Sequence, residues 1–103
     1  IQIIGAQPTD QSKIPGIRKW PEAYLPKIFD RSKVDRILEV SETEAREMSI
    51  RLAREEGVFS GMSSGGSVTT ALKIANEIES GVIVCIICDR GDRYLSSDLF
   101  NFS

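Results

Sequence analysis

The chain has 103 residues, of which 41% are hydrophobic, and its 13 basic and 15 acidic residues give a formal net charge of -2. This length can bury one modest core, so we expect a single domain over residues 1–103. The sequence has no basic tract for nucleic acid, no apolar run near the roughly 20 residues that cross a bilayer, and no signal-like start. We therefore expect a cytoplasmic protein without a nucleic-acid or membrane partner.

The first predicted element is a buried strand over Ile1 to Ala6, because its β-branched residues favour extended backbone. Residues 8–33 contain all four prolines and no sustained hydrophobic period. A connection of that length is unusual in a compact domain, which makes it a candidate functional surface. A second, short strand is predicted over Val34 to Val40.

A helix is predicted directly after this strand. Ser41 and Glu44 form the S-x-x-E pattern of a capping box, and Gly57 follows Glu56 as the expected stop signal. Apolar residues on one face should pack into the core: Ala45, Met48 and Leu52.

A cluster of serines and glycines over residues 60–67 leads into a second predicted helix, which ends near Gly81. Its apolar residues recur every three or four positions and should also face the core: Val68, Ala71, Leu72, Ala75 and Ile78. Val82 to Cys88 shows no polar alternation, which predicts a central strand covered on both faces. The order of strands and helices predicts an α/β fold, a mostly parallel sheet flanked by helices.

Cys85 and Cys88 form a C-x-x-C pattern within this last strand. Side chains three residues apart on a strand point to opposite faces, and the chain has no histidine to complete a zinc site. We expect no metal here and predict two packed, reduced thiols.

Three kinds of site could use the cluster of serines and glycines over residues 60–67. Gly61 to Gly65 matches the G-x-S-x-G pattern of hydrolases, but no histidine is present to activate the serine. Gly61 and Gly66 nearly match a P-loop, but Ser67 stands where the phosphate-binding lysine is required. A serine hydroxyl and free N–H groups at a helix start also suit a polar atom or anion of a bound cofactor.

Three segments carry a specific resemblance: "IPGIRKWPEAYLPKIFD", "EEGVFSGMSSGGSVTTALKIA" and "VIVCIICDRGDRYLSS". They resemble, in order, the C-terminal part of the bacterial pyridoxal-phosphate (PLP) cysteine synthases, particularly the B isozyme. The resemblance extends from "IIGAQP" to "RYLSS" and implies a small three-layer fragment of the fold-type II PLP enzyme fold.

In that family the first serine of the "SSGG" motif hydrogen-bonds the pyridine nitrogen of PLP, which implies this role for Ser63. A neutral hydroxyl can leave that nitrogen unprotonated, which favours loss of a β-leaving group. A simple helix cap is the alternative.

The resemblance also implies substrate-site residues. Arg18 and Trp20 match the B-isozyme segment "GIRKWP" near the site entrance, where an arginine suits an anionic sulfur donor or a carboxylate. Cys88 and Asp89 are expected close to the pyridine ring. The alternatives are a solvated arginine beside a buried tryptophan, and a capping or turn role for Asp89.

The family's Schiff-base lysine and phosphate-binding loop lie in a region that this sequence does not contain. We therefore expect no catalytic residue here, and a chain that is inactive alone. It would be the C-terminal part of a homodimeric enzyme that makes L-cysteine from O-acetylserine and sulfide or thiosulfate by PLP-dependent β-replacement. The alternatives are a non-catalytic interaction module and a small phosphate-binding domain.

Overall fold

The computed structural model describes residues 1–15, 17 and 30–94. Two strands and two α-helices form its main regular structure: β1 (Ile4–Pro8), β2 (Arg36–Val40), α1 (Glu42–Glu56) and α2 (Met62–Ala75). The strands pair in parallel, and α2 packs against α1 and both strands. The predicted α/β class with parallel strands is confirmed. No helix in the described ranges is long and apolar enough to cross a membrane.

Both strands begin later than the sequence predicts. β1 starts at Ile4 rather than Ile1, and β2 at Arg36 rather than Val34. Before the ladder starts, Asp35 Oδ2 accepts the Ile3 N–H at 2.6 Å, and the Asp35 N–H donates to the Ile3 carbonyl at 2.8 Å. A side chain thus replaces one regular ladder bond, and Ile1 and Ile3 are exposed rather than buried.

The predicted ends of α1 are confirmed. The Glu44 N–H donates to Ser41 Oγ at 3.1 Å, and the Ser41 N–H donates back to Glu44 Oε1 at 3.0 Å. Gly57 ends the helix with φ 69°, a left-handed conformation that costs glycine little. The bond from the Ser41 backbone favours the carboxylate form and lowers the pKa of Glu44.

The second helix differs from its prediction. It begins at Met62, inside the serine–glycine cluster, and ends at Ala75, before Gly81. Leu72 and Ile78, predicted to face the core, are 44% and 42% exposed. The buried positions of α2 are its first five residues and two threonines, because small residues allow this helix to approach its neighbours closely.

The core is small and lies where α1, α2 and the end of β2 meet. Its buried apolar residues are Ile14, Val40, Ala45 and Met62, with Ala6 and Ile17 packed against them. Ala45 thus confirms the predicted core face of α1, whereas Met48 and Leu52 are only half-buried.

Residues 82–88 do not form the predicted central strand. Val82, Val84 and Ile86 are 91%, 84% and 68% exposed, and no described strand pairs with this segment. The apolar run reflects a need for burial, but the two-stranded sheet of the described residues supplies no neighbour for it. Cys85 is half-buried and Cys88 exposed, so both thiols are free as predicted but Cys88 is not packed inside.

Candidate functional site

The first turn of α2 faces the segment that follows residue 87. Ser63 is 5% exposed, and its Oγ lies 3.1 Å from Cys88 Sγ. A thiol is a weak hydrogen-bonding partner, so this contact holds the Ser63 hydroxyl only loosely. The structure therefore brings together two residues that the sequence placed at one site.

Asp89 joins the same cluster through its carboxylate. Its Oδ1 accepts hydrogen bonds from the Ser64 hydroxyl at 2.6 Å and from the Gly61 N–H at 3.0 Å. Gly61 is the N-cap residue of α2, where a negative charge is favourable. Asp89 therefore binds the start of α2, a helix whose N-cap lies 28 residues earlier in the chain.

The start of α2 is also fixed from the side of α1. Ser49 is fully buried, and its single hydroxyl proton is shared between two acceptors, the Gly61 carbonyl at 2.8 Å and the Ala45 carbonyl at 2.9 Å. A β-carbon on Gly65 would overlap both the Ala45 carbonyl oxygen and Ser49 Oγ. Ser49 was not predicted as a site residue, because its only local signal is a serine on the apolar face of α1.

The turn after Asp89 is held against the residues before α2. The Gly91 N–H donates to the Phe59 carbonyl at 2.9 Å. A β-carbon on Gly91 would lie 2.6 Å from the Phe59 ring, so glycine is required for this close approach. Together with Asp89, this contact fixes the backbone on both sides of Arg90.

A groove of about 850 Å³ lies between α2, β1 and residues 82–88. Its walls are largely apolar, with polar groups from six side chains: Gln2, Ser63, Ser67, Thr70, Cys85 and Cys88. Ser67 and Thr70 were missed, although their spacing of four and seven residues from Ser63 places all three on one helix face. A largely apolar groove with a few converging hydroxyls is typical of a cofactor site.

No lysine of the described ranges lines the groove. Lys73 instead lies 3.0 Å from Glu44 Oε2 and donates to the Glu39 carbonyl, also at 3.0 Å. Within those ranges, too, no group of three or more His, Cys, Asp or Glu side chains could hold a metal ion. Within the described ranges, the polar groups of the groove are therefore three hydroxyls, two thiols and one amide.

The other two predicted site residues, Arg18 and Trp20, lie outside the residues that the structure describes.

Comparison with known proteins extends over nearly the whole chain. The family of "pyridoxal-phosphate dependent enzyme" proteins matches residues 2–89. The chain is similar to cysteine synthase B of Pseudomonas aeruginosa, with 55% identity over 101 residues that make up 98% of this chain and 34% of that protein. It is 50% identical over 100 residues to cysteine synthase B of Escherichia coli, covering 97% of this chain and 33% of that protein.

Solved structures agree with these relatives. The cysteine synthase of Entamoeba histolytica superposes with a TM-score of 0.85 at 31% identity, covering 100% of this chain and 33% of the other. O-ureido-L-serine synthase gives a TM-score of 0.85 at 33% identity, covering 99% of this chain and 35% of the other. The chain thus spans about a third of the length of these proteins. With this fold and these relatives, the chain belongs to the family of pyridoxal-phosphate-dependent enzymes.

Proposed function

We propose that this chain is the C-terminal part of a cysteine synthase and forms the side of its active site that contacts the pyridine ring of PLP. The observation that supports this best is the position of the Ser63 hydroxyl, which lines a largely apolar groove. Among the described residues, the side chain that it contacts is the thiol of Cys88. The complete enzyme would make L-cysteine from O-acetylserine and sulfide or thiosulfate. Its similarity to two cysteine synthases B supports this choice of reaction.

The groove fits the ring of PLP. Apolar walls suit the two faces of an aromatic ring, and the Ser63 hydroxyl can donate to a ring nitrogen at its edge. When bound, PLP supplies an electron-withdrawing ring that eases loss of a β-substituent from an amino acid. Ser63 would hold the ring in place without adding a charge, which suits this elimination.

We propose roles for the other four predicted site residues as well. Cys88 would lie beside the ring edge, because its thiol already contacts Ser63 at 3.1 Å. Asp89 would act from behind Ser63, since its carboxylate is bound to the start of α2. Arg18 and Trp20 would stand near the entrance, where the guanidinium could bind an anionic sulfur donor.

The chain alone should be inactive. Lys73 is paired with Glu44 and does not line the groove, so it is badly placed to bond the cofactor. We propose that the covalent lysine and the phosphate-binding loop belong to the rest of a homodimeric, cytoplasmic enzyme.

Reconstruction of a complete enzyme tests this proposal. In a recombined enzyme, this chain replaces the matching 101 residues of the Pseudomonas aeruginosa cysteine synthase B. We expect the recombined enzyme to bind PLP and to form cysteine from O-acetylserine and sulfide, while the 103-residue chain alone forms none. A folded recombined enzyme that binds no PLP would refute the proposal and favour a non-catalytic interaction module.

A further inference from the structure

The hydroxyl of Ser64 is fully occupied by the chain itself. It donates to Asp89 Oδ1 at 2.6 Å and accepts the N–H groups of Cys88 at 3.1 Å and Asp89 at 3.4 Å. One donor bond and two acceptor bonds use the whole capacity of a hydroxyl. Ser64 is also completely buried, so it has neither a free donor nor access to a ligand.

Asp89 completes this arrangement from the other side. The Ser64 hydroxyl and the Gly61 N–H both end on the same oxygen, Oδ1. One carboxylate oxygen thus joins the N-cap of α2 to Ser64, whose hydroxyl in turn accepts the backbone N–H groups of residues 88 and 89. All four bonds span 24 or more residues, so they fix tertiary position rather than local shape.

Ser63 lies between these fixed points but is held by none of the four bonds. Gly61 and Ser64, which lie on either side of it in the sequence, are bonded to Asp89, whereas the Ser63 hydroxyl contacts the Cys88 thiol. The arrangement therefore fixes the Ser63 backbone while leaving its hydroxyl available to the groove.

We propose that Asp89 is a positioning residue that acts through Ser64 and the Gly61 amide to set the Ser63 hydroxyl for its contact with the pyridine ring. This proposal rests on the function proposed above. In this role Asp89 acts through the two hydrogen bonds that its Oδ1 accepts. Because both bonds end on one oxygen, the amide of asparagine offers an equivalent acceptor.

Two substitutions at one position separate these roles in the recombined enzyme. Asp89→Ala removes the acceptor, and we expect the dissociation constant of PLP to rise about tenfold and the fluorescence emission of bound PLP to shift. Asp89→Asn keeps the acceptor, and both readouts should stay within about threefold of the unsubstituted enzyme. Asp92→Ala is the matched control, since this exposed residue in the same turn pairs with Arg90 and lies outside the groove.

Ser64→Ala provides a second test if Asp89→Ala folds poorly. It removes the hydroxyl that Asp89 binds and should shift the PLP emission in the same direction. The proposal is overturned if Asp89→Asn loses as much affinity as Asp89→Ala, because charge would then be the cause. It is also overturned if Asp89→Ala lowers thermal stability but leaves PLP affinity and emission unchanged. If the unsubstituted recombined enzyme binds no PLP, the proposed function fails and this proposal fails with it.

Discussion

Replacing Ser63 by aspartate in the recombined enzyme should lower the rate of cysteine formation about 100-fold. A carboxylate within about 4 Å raises the pKa of a nitrogen base by one to three units, so the pyridine nitrogen would become protonated at neutral pH. A change of two units in the pKa of the pyridine nitrogen corresponds to about 2.7 kcal/mol, which is about 100-fold in rate. Ser63→Ala removes one neutral hydrogen bond and should weaken PLP binding by no more than about tenfold.

The control for the aspartate substitution is Thr43→Asp. Thr43 is the second residue of α1, as Ser63 is of α2, and it is exposed. Both variants add one negative charge at an equivalent helix position, where an acidic residue is tolerated. The rate should fall only for Ser63→Asp. Equal rates in the two variants would show that Ser63 does not contact the reacting ring system.

Replacing Gly65 by alanine should destabilise the 103-residue chain by about 3 kcal/mol, although alanine is the better helix former. The new β-carbon would overlap the carbonyl oxygen of Ala45, which belongs to the backbone of α1 and cannot rotate away. The two helices would have to move apart, and the bond between Ser49 and Gly61 would weaken. Urea unfolding followed by far-ultraviolet circular dichroism measures the change.

Gly66→Ala is the matched control for this substitution. Its β-carbon would meet Ile17 Cδ1 at 2.7 Å, and its other near contacts lie at 3.9 Å. Because Cδ1 is the end of a flexible side chain, we expect a change of less than about 1 kcal/mol. Equal destabilisation by the two alanines would contradict the close packing of α1 against α2 at Gly65.

The parts of the fold that local chemistry determines were predictable. Ser41, Glu44 and Gly57 set both ends of α1 by contacts within a few residues, and the structure confirms them. The start of α2 was not predictable in the same way, because glycines and serines disfavour helix by propensity. Contacts with Ser49 and Asp89, distant in sequence, fix that start.

The structure of the apolar segment over residues 82–88 was also not predictable from its hydrophobic pattern. Hydrophobic pattern indicates that a segment requires cover, but it does not say which element provides it. Here Val82 and Val84 are almost fully exposed in the described structure.

The candidate site likewise contains residues that local sequence patterns predict and a contact that they do not predict. Ser63 was found through a motif, and Ser67 and Thr70 could have been found from helical spacing. The link between Ser64 and Asp89 spans 25 residues and has no local signature.

The most direct test of the central claim is the position of the covalently bound cofactor in the recombined enzyme. Borohydride reduction followed by mass analysis of proteolytic peptides locates the lysine that carries PLP. We predict one adduct, on a lysine outside this chain, as expected if the chain forms the non-covalent side of the pocket. An adduct on one of the chain's own five lysines would contradict that claim.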